Sequence, residues 1–215
     1  MTRNDEINMW INFALYSVLG KLAEADQIMQ VHGEQVRSVA KFLAKECPIE
    51  PTPLYRGMLL DPQRPYTIDP AFTFVSWSED RDVAAWFADR RSSISEPFAL
   101  FHPEARGYIA ELPAPRSQVL FHYSWAERAF NDLAGLAKLH PHMGANGAKQ
   151  IEWALRTQKE VITMPCQIEP RPYVEMACDE FEALAKRLDP PWLDREDPPR
   201  FAVTLPMPQG CVVGE

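Results

Sequence analysis

Glycine is scarce in this chain, nine residues in 215, and none falls into G-x-G-x-x-G or into the glycine-rich loop ending in Lys-Ser/Thr. A dinucleotide on a Rossmann unit and a nucleotide on a P-loop are therefore excluded, because both need glycine backbone pressed against phosphate. Long apolar runs are also missing. The longest stretch, Trp10 to Leu19, is interrupted by Asn12 and falls far short of the ~20 residues that span a bilayer, so no membrane protein is expected. The four cysteines, Cys47, Cys166, Cys178 and Cys211, form no C-x-x-C pair, which argues against a zinc or redox centre and for reduced thiols. The opening residues, Met-Thr-Arg-Asn-Asp-Glu, lead into no apolar core with a small-residue cleavage site, and a cytoplasmic protein is expected. Positive charge is short as well. A net charge of -8 argues against broad electrostatic gripping of nucleic acid. Arg81, Arg90, Arg91, Arg106, Arg116 and Arg128 form a patch only if the fold gathers them on one face, and a scattered solvated surface is the default.

Proline, by contrast, is abundant. Twenty prolines impose many stiff connections and exclude a mainly helical chain. The length suits one domain over residues 1–215. It divides into a helical N-terminal region (1–47), a core (54–176), and a helix followed by a proline-rich tail (177–215). Asn4 or Asp5 is placed to cap a first amphipathic helix that carries Ile7, Trp10, Ile11, Ala14, Leu15, Val18 and Leu19, and ends near Leu22 or Val31. His32-Gly33 breaks it, and Val36 to Leu43 trace a second helix that stops before Pro48.

From Leu54 the pattern turns to strands. Expected strands are Leu54 to Leu59, Ala71 to Ser78 and Gly107 to Leu112, with others at Gln118 to Tyr123 and Gln167 to Met176. Asp61 to Pro70 and His140 to Gly147 read as loops, and Trp125 to Leu139 and Asp179 to Leu188 as helices. A short helix follows Glu79 to Asp82, with Ser78 as a natural N-cap. The segment Trp153 to Pro165 reads as a loop feeding a strand, on which Gln158, Glu160 and Ile162 share one face.

Three polar intrusions stand out in these apolar strands: Arg56, the pair Ser76 and Ser78, and Gln158 with Glu160. A buried arginine is costly unless it meets an anion. The order Leu54-Tyr55-Arg56-Gly57, then Phe74-Val75-Ser76-Trp77-Ser78, then Gln158-Lys159-Glu160-Val161-Ile162 resembles the mono-ADP-ribosyltransferases of the Arg-Ser-Glu type, in their Gln-x-Glu, bacterial toxin-like subgroup. Trp77 departs from the threonine usual between the two serines. Facing away from both, it is expected to alter packing more than chemistry.

The resemblance implies an α+β fold, with N-terminal helices packed on a core of two facing, mainly antiparallel sheets. It implies NAD as substrate, bound around Tyr55, Arg56, Gly57, Ser76, Ser78 and Glu160, with catalytic roles for Glu160, Gln158, Ser76 and Arg56. Arg56 suits NAD oxygens because a guanidinium donates in a planar fork. Glu160 suits an oxocarbenium-like transition state, as carboxylates do in glycoside hydrolysis. Gln158 and Trp153 would recognise the acceptor. An amide at position 158 points to a protein side chain other than arginine or to a nucleobase.

The same resemblance places such chains among intracellular toxins, toxin–antitoxin or phage-defence modules, and phage proteins that remodel a host, with an antitoxin or other neutralising partner. The alternatives are an NAD glycohydrolase and a catalytically silent interaction domain of the same fold. His122 and Tyr123 are similar to the pair used by the other large branch of these transferases, which the Tyr55-Arg56-Gly57 start fits less well. His140 and His142 lack companion carboxylates or cysteines, and no metal is expected.

Overall fold

The structure, a computed structural model, describes residues 2–61, 73–93, 95–113, 119–130, 145–166 and 169–191. The expected loop at 62–70, the expected strand start at Ala71 and Phe72, Arg116, Gln118, the rest of the expected helix at 131–139, His140, His142, Gln167, the tail from residue 192, and Cys211 lie outside the described residues.

Helix α1 spans Arg3–Val18 and is opened by a capping box in which Thr2 is the cap and Asp5 the reciprocating carboxylate. Asp5 thus serves as the third helical residue and Asn4 is not the cap. Gly20, at φ 70°, ends the helix where only a glycine is comfortable. Helix α2 then covers Leu22–Glu46 as two helical segments joined across a kink. The His32-Gly33 break is a kink at His32 inside α2. Buried Ala25, Met29, Gly33, Val36, Ala40 and Leu43 form the stripe that seats α2.

The strands are β1 (Leu54–Leu60), β2 (Val75–Ser78), β3 (Arg106–Leu112), β4 (Val119–His122), β5 (Glu160–Thr163) and β6 (Arg171–Pro172). Among the described residues they make one open sheet in the order β4-β5-β2-β1-β3-β6, every pair antiparallel. The α+β class holds. The two facing sheets do not: every described strand joins the same ladder system, and helices cover the sheet instead.

Phe74, Leu120, Phe121 and Ile162 pack with Trp10, Phe13, Leu15, Val36 and Val39, so α1 and α2 cover the β4-β5-β2 end. Leu54, Val75, Trp77, Ala110 and Val161 form a second cluster on the other face. Trp77 is buried there and donates its ring N–H to Thr163 Oγ1 at 2.9 Å, so in this position it packs rather than joins the serines.

Among the described residues the helices after β2 are α3 (Arg81–Ala88), α4 (Glu96–Phe101), α5 (Tyr123–Phe130), α6 (Ala145–Arg156) and α7 (Cys178–Leu188). Ala145 to Gly147, expected as loop, open α6, and the strand expected over Gln167 to Met176 shrinks to β6. The cap of α3 is Asp80, which accepts from Asp82 N–H, while Ser78 accepts the N–H of Asp80 itself.

Helix α3 lies hard against β1 and β3. A Cβ at Gly57 would stand 1.7 Å from the Ala84 carbonyl oxygen, and one at Gly107 would stand 2.3 Å from that of Ala88. Gly57→Ala therefore forces backbone apart, and an unfolding free energy at least ~3 kcal/mol below wild type is expected in urea titration. Near-wild-type stability would mean that α3 shifts freely.

Candidate functional site

The register sets Tyr55, Ser78 and Glu160 opposite one another across β1, β2 and β5, with Ser76 opposite Ile162. Ser76 and Glu160 are diagonal neighbours on one face, the geometry in which longer side chains meet. Ser76 Oγ donates to Glu160 Oε1 at 2.6 Å.

Arg56 reaches this pair through a parting of strands. β1 pairs with β3 over seven residues but with β2 only at Tyr55 and Ser78. Beyond that point Arg56 Nη1 donates to the Ser76 carbonyl at 2.6 Å. The guanidinium thus bridges β1 and β2 where the backbone ladder stops. Three residues from segments 20 and 84 positions apart meet at the centre of the sheet.

Glu160 is 3% exposed. Burial pushes its pKa up to about 7, while the Ser76 hydrogen bond and the Arg56 charge pull the other way. A carboxyl so placed changes charge near neutrality, and any cation that develops beside it favours the ionised form.

The approach to β5 differs from the expected extended segment. Trp153 to Arg156 belong to α6, whose end is tied off by Thr157 N–H and Gln158 N–H, both donating to the Trp153 carbonyl. Lys159 takes φ 49°, so the alternation that would place Gln158 beside Glu160 on a strand is broken. Gln158 is half-buried, and its carbonyl accepts from Ser78 Oγ at 2.5 Å. Ser78, Gly57 and Trp153 are each committed to the fold. Gly57 admits α3. Trp153 is 5% exposed, packs against Trp86 and Phe87, and donates its ring N–H to the Leu188 carbonyl at 2.7 Å. A ring so enclosed does not stack on an acceptor, which corrects its expected role.

One cluster was not singled out from the sequence. The Glu79 carboxylate accepts from Thr52 Oγ1 at 2.8 Å, from His122 Nε2 at 3.0 Å and from Tyr123 OH at 2.9 Å. His122 Nδ1 accepts from Ser124 N–H, which leaves Nε2 as the donor. Glu79 therefore knots the approach to β1, the end of β2 and the end of β4 directly behind Ser78. Burial raises its pKa, but the bonds from His122, Thr52 and Tyr123 win and hold it at about 2. No spacing rule joins residues 52, 79 and 122; only the pairing of the strands does.

A folded pKa below the unfolded one stabilises above about pH 4.5, and the contribution disappears as pH falls toward 2. Glu79→Gln is expected to lower the unfolding free energy at pH 7 by about 3 kcal/mol, with the gap cut by more than half near pH 3 and closing only as pH approaches 2. Urea titrations at both pH values check this, and an equal loss at each would assign the effect to packing.

Of the six arginines that a basic patch would draw on, Arg91 is committed to the fold, while Arg116 and the side chain of Arg128 lie outside the described residues. Arg91 binds both oxygens of Asp89, donates to the Met176 carbonyl and lies over the Phe181 ring. Cys47, Cys166 and Cys178 are free thiols. Among the described residues no group of three or more His, Cys, Asp or Glu side chains is placed to hold a metal, and no helix is long and apolar enough to cross a membrane. No protein-family model, curated protein or solved structure matches this chain.

Proposed function

We propose that the chain is a mono-ADP-ribosyltransferase that moves ADP-ribose from NAD to a macromolecular acceptor. The acceptor would be a protein side chain other than arginine or a nucleobase. The observation that carries this reading is the Arg56–Ser76–Glu160 set: a strand arginine, a strand serine and a buried carboxylate linked by two 2.6 Å hydrogen bonds. A serine–glutamate pair alone would be an ordinary sheet contact. The arginine at the point where two strands part supplies what a purely structural pair lacks, a cation beside a carboxyl that burial already strains.

In this reading Arg56 holds pyrophosphate or ribose oxygens of NAD, and Ser76 fixes the Glu160 carboxyl in one orientation. Ionised Glu160 accepts a hydrogen bond from the ribose 2′-hydroxyl and stabilises the positive charge that develops as the glycosidic bond to nicotinamide breaks. The acceptor nucleophile then bonds to the ribose C1′ and loses its proton, and nicotinamide leaves with the bonding electron pair. An intracellular toxin or phage–host conflict effector, with a neutralising partner, is the setting that the resemblance suggests.

The decisive experiment is NAD labelled on its adenylate half, incubated with the protein and total bacterial lysate, then separated into protein, RNA and DNA. Label retained on one of these fractions is the expected result. Free ADP-ribose alone would make the protein an NAD glycohydrolase, and intact NAD throughout would leave an interaction domain.

A further inference from the structure

We propose that Ser78 is a positioning residue that holds the left-handed turn at Lys159, and through it decides whether ADP-ribose goes to the acceptor or to water. This rests on the transferase reading above and departs from the resemblance, which places Ser78 against NAD.

Ser78 is 3% exposed, and its hydroxyl is engaged on both sides. It accepts Asp80 N–H at 2.9 Å and gives its single proton to the Gln158 carbonyl at 2.5 Å. No proton remains for a cofactor oxygen. Gln158 is thereby held through both of its backbone groups, the N–H of the peptide before it by the Trp153 carbonyl and the C=O of the peptide after it by Ser78. Trp153 is in turn fixed through its ring N–H to the Leu188 carbonyl.

Immediately after Gln158 comes Lys159 at φ 49°. A residue with a Cβ persists there only when its surroundings over-determine it. Lys159 is exposed, so its own side chain does not supply that constraint. The constraint comes from the pairing of Glu160 with Ser78 on one side of Lys159 and from the pair of bonds on Gln158 on the other, and of those two bonds only the Ser78 one comes from outside α6 and its end. The turn has a definite consequence. The left-handed residue falls between a half-buried Gln158 and a buried Glu160, so their relative placement is set by it and not by strand alternation. Loss of the Ser78 hydroxyl frees that placement while Ser76 still orients Glu160.

The test uses the full chain as wild type, Ser78→Ala and Ser78→Thr, the last keeping the hydroxyl. Amide exchange at Thr157 and Gln158 is expected to speed up at least ten-fold in Ser78→Ala and to return toward wild type in Ser78→Thr. With adenylate-labelled NAD and total bacterial lysate, the ratio of macromolecule-bound to free ADP-ribose should fall at least ten-fold in Ser78→Ala, with KM for NAD within two-fold of wild type. A raised KM for NAD with unchanged exchange and unchanged ratio would overturn the proposal and return Ser78 to the cofactor. A wild-type chain that leaves NAD intact defeats the transferase reading and the partition with it. The exchange measurement then decides alone whether Ser78 holds the turn.

Discussion

Glu160→Gln is expected to abolish NAD cleavage while making the protein more stable at pH 8, by about 3 kcal/mol. Both halves follow from one fact, a carboxyl whose burial outweighs the Ser76 hydrogen bond and the Arg56 charge, with its pKa raised from 4.5 to about 7. The folded pKa lies above the unfolded one, so the folded state holds the proton more tightly. Stability is therefore lost as pH rises from about 4.5 through 7, and the full cost is present above that. Glutamine keeps the shape and accepts from Ser76 Oγ in the same way, but never ionises. Its advantage should vanish near pH 4.5, where wild-type Glu160 is neutral in the folded state. Activity should follow the opposite course, rising through about pH 7 as Glu160 ionises. Chemical denaturation at pH 4.5 and 8, beside a cleavage assay, measures all of this. A folded glutamine variant that still cleaves NAD would remove Glu160 from the chemistry, and a variant less stable at pH 8 would show that the carboxylate is stabilised by the fold.

A comparable loss is expected at Arg56, and two substitutions separate its geometry from its charge. Arg56→Lys keeps the charge but replaces a planar fork by a point cation, so NAD affinity should fall at least ten-fold while the pH midpoint of activity stays close to wild type. Arg56→Ala removes the charge that lowers the Glu160 pKa, and the midpoint should move upward as well. Calorimetric titration with NAD and a pH–rate profile read the two effects independently. Unchanged affinity in both variants would place Arg56 among structural arginines.

The strands that carry the site were legible because their polar residues interrupt apolar alternation. Arg56 in β1, and Ser76 and Ser78 in β2, stand out for that reason, and β2 and β5 pair in the register that brings Ser76 to Glu160. The end of α6 was not legible. Ile151 and Leu155 face the core of α1 and α2, while Trp153 faces α3 and α7, so the apolar side of the helix serves two clusters, with Lys149, Glu152 and Arg156 left exposed. The left-handed turn was hidden too, since lysine carries no preference for it. Strand patterns also leave open which edges meet, and a single open sheet and two facing sheets draw on the same alternation.

The short β1–β2 pairing has one more consequence. With a single ladder pair between them, the two halves of the sheet meet at a seam that side chains stitch: Arg56 on the Ser76 carbonyl, and Thr52 on Glu79. A ligand that draws the Arg56 guanidinium to itself competes with the fold for the same donor. Affinity at this site is therefore set against the cohesion of the sheet, and tightening the seam elsewhere is a way to leave Arg56 more readily shared.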